Sequence, residues 1–263
     1  MTLQVYPPVN SPEWWFAVAN GDITGVSVVH KFGRHLAVGT GFVPVSVGGA
    51  FRTPQVASAT TLRVKAGDAI DTAAGDGARE VTLQGLDETG TEVTEALATA
   101  GTSASSATTA TFIRLYRAWV SASGTYASAT AGSHQADIVI ENGAGGTDWL
   151  TIDSTDFPRG QSECGVYSVP LGKTAYIANI HISVDSGKTA DVVLFHRGGI
   201  LETSAPYPAM RVKYQAGGVK GLAMLHTGAL MGPYPALSDI GFMAKAAATS
   251  EVDVDFELIL IDD

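Results

Sequence analysis

Short alternating segments that end at glycine-containing turns are the feature that most constrains the fold of this chain. Within residues 80–86, apolar and polar side chains alternate with a period of two, which is typical of a strand with one buried face. Residues 87–90 are rich in turn formers, and the alternation resumes over residues 91–97. Two alternating runs around a short loop that ends in glycine predict an antiparallel hairpin.

Residues 111–120 are predicted to form the next strand, and both of its faces carry apolar and basic side chains. Arg114 and Tyr116 share one face, whereas Arg117 and Trp119 share the other. This mixture favours a strand that contacts a partner. An ordinary sheet strand with two exposed arginines fits the same pattern.

Residues 162–261 contain further short segments with strand-like composition, separated by glycine-containing turns. This spacing predicts an all-β chain with an antiparallel β-sandwich or jelly-roll-like architecture. We expect three parts: an extended N-terminal arm over residues 1–24, an N-terminal β domain over 25–160, and a C-terminal sandwich or jelly-roll domain over 161–263.

The expected arm is rich in proline and aromatic residues. Pro7, Pro8 and Pro12 argue against a helix and favour an extended conformation. Three consecutive aromatic residues follow, and their transfer out of water is favourable. They either pack beneath the body of this subunit or bury in a neighbouring one. These residues are Trp14, Trp15 and Phe16.

Composition excludes several classes of partner. With 26 acidic and 16 basic residues the net charge is −10, so the chain is not expected to bind nucleic acid. The single cysteine, Cys164, excludes an internal disulfide and a multi-cysteine zinc site. The N-terminus lacks the pattern of a signal peptide and no apolar run is long enough to span a membrane, so we expect a soluble product with no membrane partner.

The sequence carries no recognisable catalytic motif. None of the six histidines has zinc-protease spacing, and the nucleophile elbow and nucleotide-binding loops are absent. Asp68, Asp71 and Asp76 do not match a calcium-binding loop, and a turn is favoured over a calcium site. The sequence therefore predicts a protein that is not an enzyme and holds no cofactor or metal.

Residues 75–95 and 101–118 resemble a β-rich structural protein that recurs in tailed bacteriophages, especially those of cyanobacteria and marine bacteria. The similarity is strongest over residues 75–120 and extends over about residues 25–260. The chain departs from the family pattern at residues 98–100. The matching residues are Ala78, Arg79, Val81, Gly85, Leu86, Asp87, Glu92, Val93, Glu95, Gly101, Thr102, Phe112, Arg114, Arg117 and Ala118.

The resemblance implies a structural protein of the virion, assembled in the host cytoplasm. We expect a symmetric homo-oligomer, a trimer, that contacts virion proteins such as the major capsid protein as a capsid cement or decoration protein or head-fibre base. One alternative is a tail or receptor-binding component that recognises host carbohydrate, and another is a carbohydrate-active enzyme with a carboxylate pair in a cleft. The expected contact residues are Trp14, Trp15, Phe16, Arg114, Tyr116, Arg117 and Trp119.

Overall fold

The computed structural model describes residues 11–49, 51, 59–125, 132–156 and 158–263, without the side chains of residues 224–229. This part of the chain contains one α-helix and fifteen strands, and its strand pairs are antiparallel, which confirms the predicted all-β class. The elements are α1 (Pro12–Ala19), β1 (Val26–Val38), β2 (Val43–Pro44), β3 (Leu62–Ala66), β4 (Ala78–Leu86), β5 (Glu92–Ala98), β6 (Arg114–Ser123), β7 (Ile138–Asn142), β8 (Asp148–Ile152), β9 (Val166–Ser168), β10 (Lys173–Val184), β11 (Ala190–Gly198), β12 (Arg211–Val219), β13 (Gly221–Tyr234), β14 (Ser238–Ala246) and β15 (Ser250–Asp262).

The strands form four sheets. The two larger sheets have the orders β1-β15-β10-β13 and β12-β11-β14-β2, and β9 also pairs with β14. The two smaller sheets have the orders β3-β7-β8 and β5-β4-β6. Strands β1 and β2 pair with β15 and β14, so the strand pairing crosses the boundary predicted near residue 160.

The two larger sheets contribute to one shared hydrophobic core. Strand β15 supplies a row of alternating buried residues, and its Phe256 contacts Phe242 of β14 with 5.1 Å between ring centroids. Burial of apolar surface stabilises a core by about 25 cal/mol per Å². The alternation that predicts this strand therefore also defines which of its faces joins the two sheets.

The two smaller sheets share a second core. Leu62, Leu83 and Ile140 are fully buried there, each from a different strand. Val166 and Phe195 of the larger sheets belong to the same cluster, so the second core continues against the larger sheets.

The hairpin predicted from residues 80–97 is confirmed. Strands β4 and β5 pair from Glu80 with Ala98 to Leu86 with Glu92. In the turn, the Asp87 carboxylate accepts hydrogen bonds from the backbone N–H groups of Thr89 and Thr91. These bonds lower the pKa of Asp87, although burial opposes them as the largest single influence.

The N-terminal segment corrects one prediction, because residues 12–19 form a helix and not an extended arm. Ser11 has an extended backbone and its hydroxyl accepts from the backbone N–H of Trp14, which is the geometry of a helix N-cap. Pro12 occupies the first turn, where a missing N–H costs nothing. Pro7 and Pro8 lie outside the described residues.

A close backbone contact positions β1. A Cβ atom on Gly33 would lie 2.1 Å from the backbone nitrogen of Gly165, so only glycine fits at this crossing. The two charged neighbours of Gly33 in β1 are Lys31 and Arg34, and both are buried. Lys31 pairs with Phe256 and Arg34 pairs with Asp253, which places the two cations on opposite faces of the sheet.

Candidate functional site

Three of the seven expected contact residues are buried inside this chain, and two of them, Arg114 and Tyr116, lie on β6. Arg114 is 1% exposed, and its guanidinium binds both carboxylate oxygens of Asp239 in β14. The hydroxyl of Ser168 donates to the same carboxylate. Tyr116 is also buried, and its ring packs on that of Tyr167 with centroids 4.8 Å apart. Both residues hold β6 against the larger sheets.

The other expected contact residues differ in exposure. Trp14 is buried against Ala178 and Ile259, so it packs beneath this subunit, whereas Trp15 is half-buried. Phe16 is 70% exposed on the outer side of α1. Arg117 and Trp119 lie on the outward face of β6, where the guanidinium is 5.2 Å from the centre of the Trp119 ring system. The structure does not bring Phe16 and this stacked pair into contact with each other. Their role at an interface remains a prediction.

Strand β12 has one open edge in the part of the chain that the structure describes. It pairs with β11 on one side only, and most of its nine residues are exposed. Val212 is 55% exposed, and Leu222, which belongs to β13 of the other large sheet, is 65% exposed. Arg211 and Lys213 give this edge a positive charge. An open edge offers unpaired backbone N–H and C=O groups to a further strand.

The outer face of the other large sheet carries negative charge. In β15, Asp253, Asp255 and Glu257 alternate with the buried residues of the core. The pKa of Asp253 is raised to about 6, first by burial and then by the nearby carboxylate of Glu251. His30 of β1 pairs with Glu257 in the register, and its Nε2 lies 3.9 Å from Oδ1 of the diagonal neighbour Asp255.

Arg34 lies at the centre of a group of carboxylates. Its Nε donates to Glu251 at 2.5 Å, while Nη1 lies 3.5 Å from Asp153 and 3.6 Å from Glu163. A further nitrogen, Nη2, lies 3.4 Å from Asp156. The pKa of Glu163 is raised because burial outweighs the two neighbouring guanidinium groups. The cluster joins β1 and β15 to the segment between β8 and β9.

A cavity of about 310 Å³ opens beside β1 on the opposite face. Lys31 lines it, and the Lys31 Nζ donates to the carbonyl oxygen of Tyr116 at 2.5 Å and lies 5.7 Å from the Tyr116 ring centroid. The pKa of Lys31 is lowered to about 8, mainly by burial; Cys164 opposes this shift, and the nearby Arg117 charge contributes to it. No carboxylate of the described residues forms an ion pair with this ammonium.

Two tyrosines form the inner wall of this cavity. The Tyr116 hydroxyl donates to Glu92 at 2.5 Å, and burial, the neighbouring Tyr167 and Glu92 all raise the pKa of Tyr116. The Tyr167 hydroxyl is buried and forms no hydrogen bond with any residue that the structure describes. Burial, followed by the charge of Glu92, raises the pKa of Tyr167. Both phenols are therefore protonated at neutral pH and can donate hydrogen bonds.

The structure places the remaining chemistry-bearing residues in structural roles. The buried Asp71 carboxylate accepts hydrogen bonds from the backbone N–H groups of Ala78 and Gln135, so it closes a loop. Cys164 is fully buried. Over the described ranges, no group of three histidine, cysteine, aspartate or glutamate side chains could hold a metal ion. No helix within those ranges is long and apolar enough to cross a membrane.

Sequence reasoning missed both the cavity and the open edge. Lys31 is a cation at an inward position of an alternating strand, and this is a signal that the pattern itself contains. Arg211 and Lys213 stand out as a basic cluster in an acidic chain, but only the sheet order shows that they lie on an edge.

No family model matches the chain, and no curated protein matches it. Weak similarities were found among solved structures. A structure of infectious bursal disease virus, Gx strain, is 8% identical over 90% of this chain and 76% of that one, with a TM-score of 0.19. The VP2 subviral particle of the same virus is 10% identical over 91% of this chain and 77% of that one, with a TM-score of 0.18. Scores of this size do not establish a shared fold.

Proposed function

We propose that this chain is a non-enzymatic structural subunit of a tailed-phage virion, and that it works by assembling with copies of itself. The observation that carries the proposal is the open edge of β12 with its exposed Val212. Exposed apolar side chains beside an unpaired strand edge favour contact with another protein surface.

Charge complementarity supports a second copy as the partner. The β12 edge carries Arg211 and Lys213, whereas the outer face of β15 carries Asp253, Asp255 and Glu257. These surfaces are different parts of the same chain, so a contact between them is head-to-tail, and such contacts form a ring when the rotation closes. A homotrimer is the ring that we propose.

The resemblance of residues 75–118 to a phage structural protein supports placement in the virion. We propose that the two larger sheets form a β-sandwich, and that the subunit is a capsid cement or decoration protein or head-fibre base that contacts the major capsid protein. A standard protein contact buries about 1,600 Å². Phe16 and the stacked Arg117 and Trp119 lie on surfaces distinct from the β12 edge and are the proposed contacts with such partners.

The test of self-assembly is a charge exchange followed by native mass spectrometry at low ionic strength. We expect the unchanged chain to form trimers. The double variant Arg211→Glu/Lys213→Glu places like charges at the contact and should give monomers, because facing like charges cost several kcal/mol. Adding Asp255→Lys and Glu257→Lys to the same chain should restore the trimer.

The control is Lys188→Glu, which reverses an exposed charge that pairs with Asp185 and is not one of the exchanged residues. This control should remain trimeric. A monomeric unchanged chain, or trimers that survive in the double variant, would disprove the β12 contact. Density for this chain within intact particles tests the virion placement separately, and particles from which the chain is absent would contradict that part of the proposal.

A further inference from the structure

The Lys31 cavity contains buried polar groups that the fold does not satisfy. Lys31 is 5% exposed, and its single hydrogen bond to a described residue goes to a neutral backbone carbonyl. Tyr167 is 1% exposed, and its hydroxyl has no partner within the described part of the chain. A buried ammonium without a counter-charge and a buried phenol without an acceptor are both costly. An anion that accepts hydrogen bonds from both groups would remove these costs.

We propose that this cavity binds the carboxylate of a small sugar acid, with Lys31 as the counter-charge. The site is independent of the β12 edge, because its walls come from β1, β6, β9 and the hairpin β4–β5. Arg117 stands exposed at the rim and supplies a second positive charge at the entrance. Opposite charge at an entrance attracts an anion from solution.

The single buried charge favours a monoanion. Lys31 is the only buried cation on the cavity wall among the described residues, and Glu92 already adds a negative charge at its edge. A carboxylate balances one ammonium, whereas a doubly charged phosphate would leave an uncompensated charge where solvent is largely excluded. A carboxylate also has two oxygens, one of which can accept from the ammonium and the other from the phenol.

The remaining lining groups match sugar hydroxyls. Gln84 and Gln161 each offer an amide donor and an amide acceptor. The Ser162 hydroxyl accepts from the backbone N–H of Ala118 at 2.9 Å, which leaves its own proton free to donate. Phe32 adds an apolar surface. A cavity of about 310 Å³ is near the lower end of the range of ligand-binding pockets. It is suited to one sugar unit.

The test is isothermal titration calorimetry of the full chain with three matched compounds. D-glucuronate carries the carboxylate, D-glucose lacks it, and D-glucose 6-phosphate carries a dianion. We expect glucuronate to bind at least tenfold more tightly than either of the other two. Tighter binding of the phosphate would overturn the assignment to a carboxylate, and equal binding of glucose would overturn the role of the charge.

Two variants connect binding to the cavity. Lys31→Met keeps the length of the side chain and should weaken glucuronate binding at least tenfold, and Tyr167→Phe should weaken it severalfold through loss of one hydroxyl. Lys188→Met removes an equivalent charge at the surface and should leave binding unchanged. Circular dichroism verifies that each variant is folded. If the unchanged chain does not bind glucuronate, the site is disproved. Unchanged glucuronate affinity in the folded Tyr167→Phe and Lys31→Met variants would also disprove it.

Discussion

Two buried cations, Arg114 and Lys31, occupy different environments. Arg114 meets Asp239 through three hydrogen bonds of 3.0, 3.1 and 3.2 Å and donates another to the carbonyl of Ile113. Among the described residues, Lys31 donates only to the carbonyl of Tyr116, and it lines a cavity. The Arg114 guanidinium, paired with Asp239, joins two sheets. The Lys31 ammonium can still donate hydrogen bonds to a ligand. Burial alone therefore does not define the role of a charged residue. The groups with which the charge pairs define that role.

Arg34 is a third case that lies between these two. Four carboxylates surround it, and two of them, Asp153 and Glu163, are themselves buried. Its region has an excess of negative charge, whereas the region around Lys31 has an excess of positive charge. The predictions below test these differences in charge around the three buried cations.

Arg114→Met is expected to lower the free energy of unfolding by about 3–5 kcal/mol, because it leaves the Asp239 carboxylate buried without its counter-charge. Urea denaturation followed by tryptophan fluorescence measures this loss. The double variant Arg114→Met/Asp239→Leu removes both charges and should recover much of the stability. A loss below about 1 kcal/mol in the single variant would contradict a structural role for the pair.

Arg34→Met is expected to cost about 2–3 kcal/mol at pH 7, less than the Arg114 variant, because two of its four carboxylates are partly exposed to water. Protonation relieves the repulsion among the carboxylates, so the loss should shrink between pH 7 and pH 5. Denaturation at both pH values measures the difference. A loss that is independent of pH would show that the carboxylates do not interact through Arg34.

Asp253→Asn tests the acidic outer face of β15. The folded-state pKa of about 6 lies above the ordinary value of 3.8, so the folded state holds the proton more tightly than the unfolded chain. The stability contributed by Asp253 is therefore present below pH 4 and is lost as pH rises through about 6. We expect Asp253→Asn to stabilise the chain by about 1–2 kcal/mol at pH 7.5, after allowance for solvent screening, and by almost nothing at pH 4. Equal effects at the two pH values would contradict this prediction.

Lys31→Met is expected to change the free energy of unfolding by less than about 1 kcal/mol at pH 7, because no carboxylate loses its partner. The folded-state pKa of about 8 lies below the ordinary 10.5, so the unchanged chain should gain stability as pH rises from 8 to 10.5. The variant should lack that gain. Denaturation across this pH range measures it, and a loss comparable to that of Arg114→Met would erase the distinction between the two cations.

The local sequence pattern is sufficient to predict the strands, but it does not predict the N-terminal helix α1. The turn residues Asp87 and Gly90 and the flanking alternation predict the β4–β5 hairpin, whereas the observed register pairs Leu86 with Glu92 and makes the loop one residue longer than predicted. Pro12 was interpreted as a helix breaker, but at the start of a helix it is a helix former, and Ser11 immediately before it is the N-cap. The start of the helix can therefore be predicted from the sequence when Pro12 is considered together with Ser11.

Exposure on the β6 strand could not be predicted from alternation. The pattern places Arg114 with Tyr116 and Arg117 with Trp119, and this grouping is consistent with their burial. It does not show that the first pair faces the larger sheets, because Asp239 and Tyr167 are distant in sequence. The two faces of β6 have similar composition, and they differ in exposure only because the larger sheets cover one of them.

The amino-acid sequence by itself determined the all-β class, the hairpin and the alternation of β15, because turn chemistry and period-two alternation act between near neighbours. Only the tertiary structure decided which cations have partners and where a sheet edge stays open. Those properties depend on contacts between residues far apart in the chain: Arg114 meets a carboxylate 125 positions away, whereas Lys31 forms no ion pair with a carboxylate of the described residues. Long-range packing, which no local pattern encodes, therefore distinguishes the structural charge from the one available for binding.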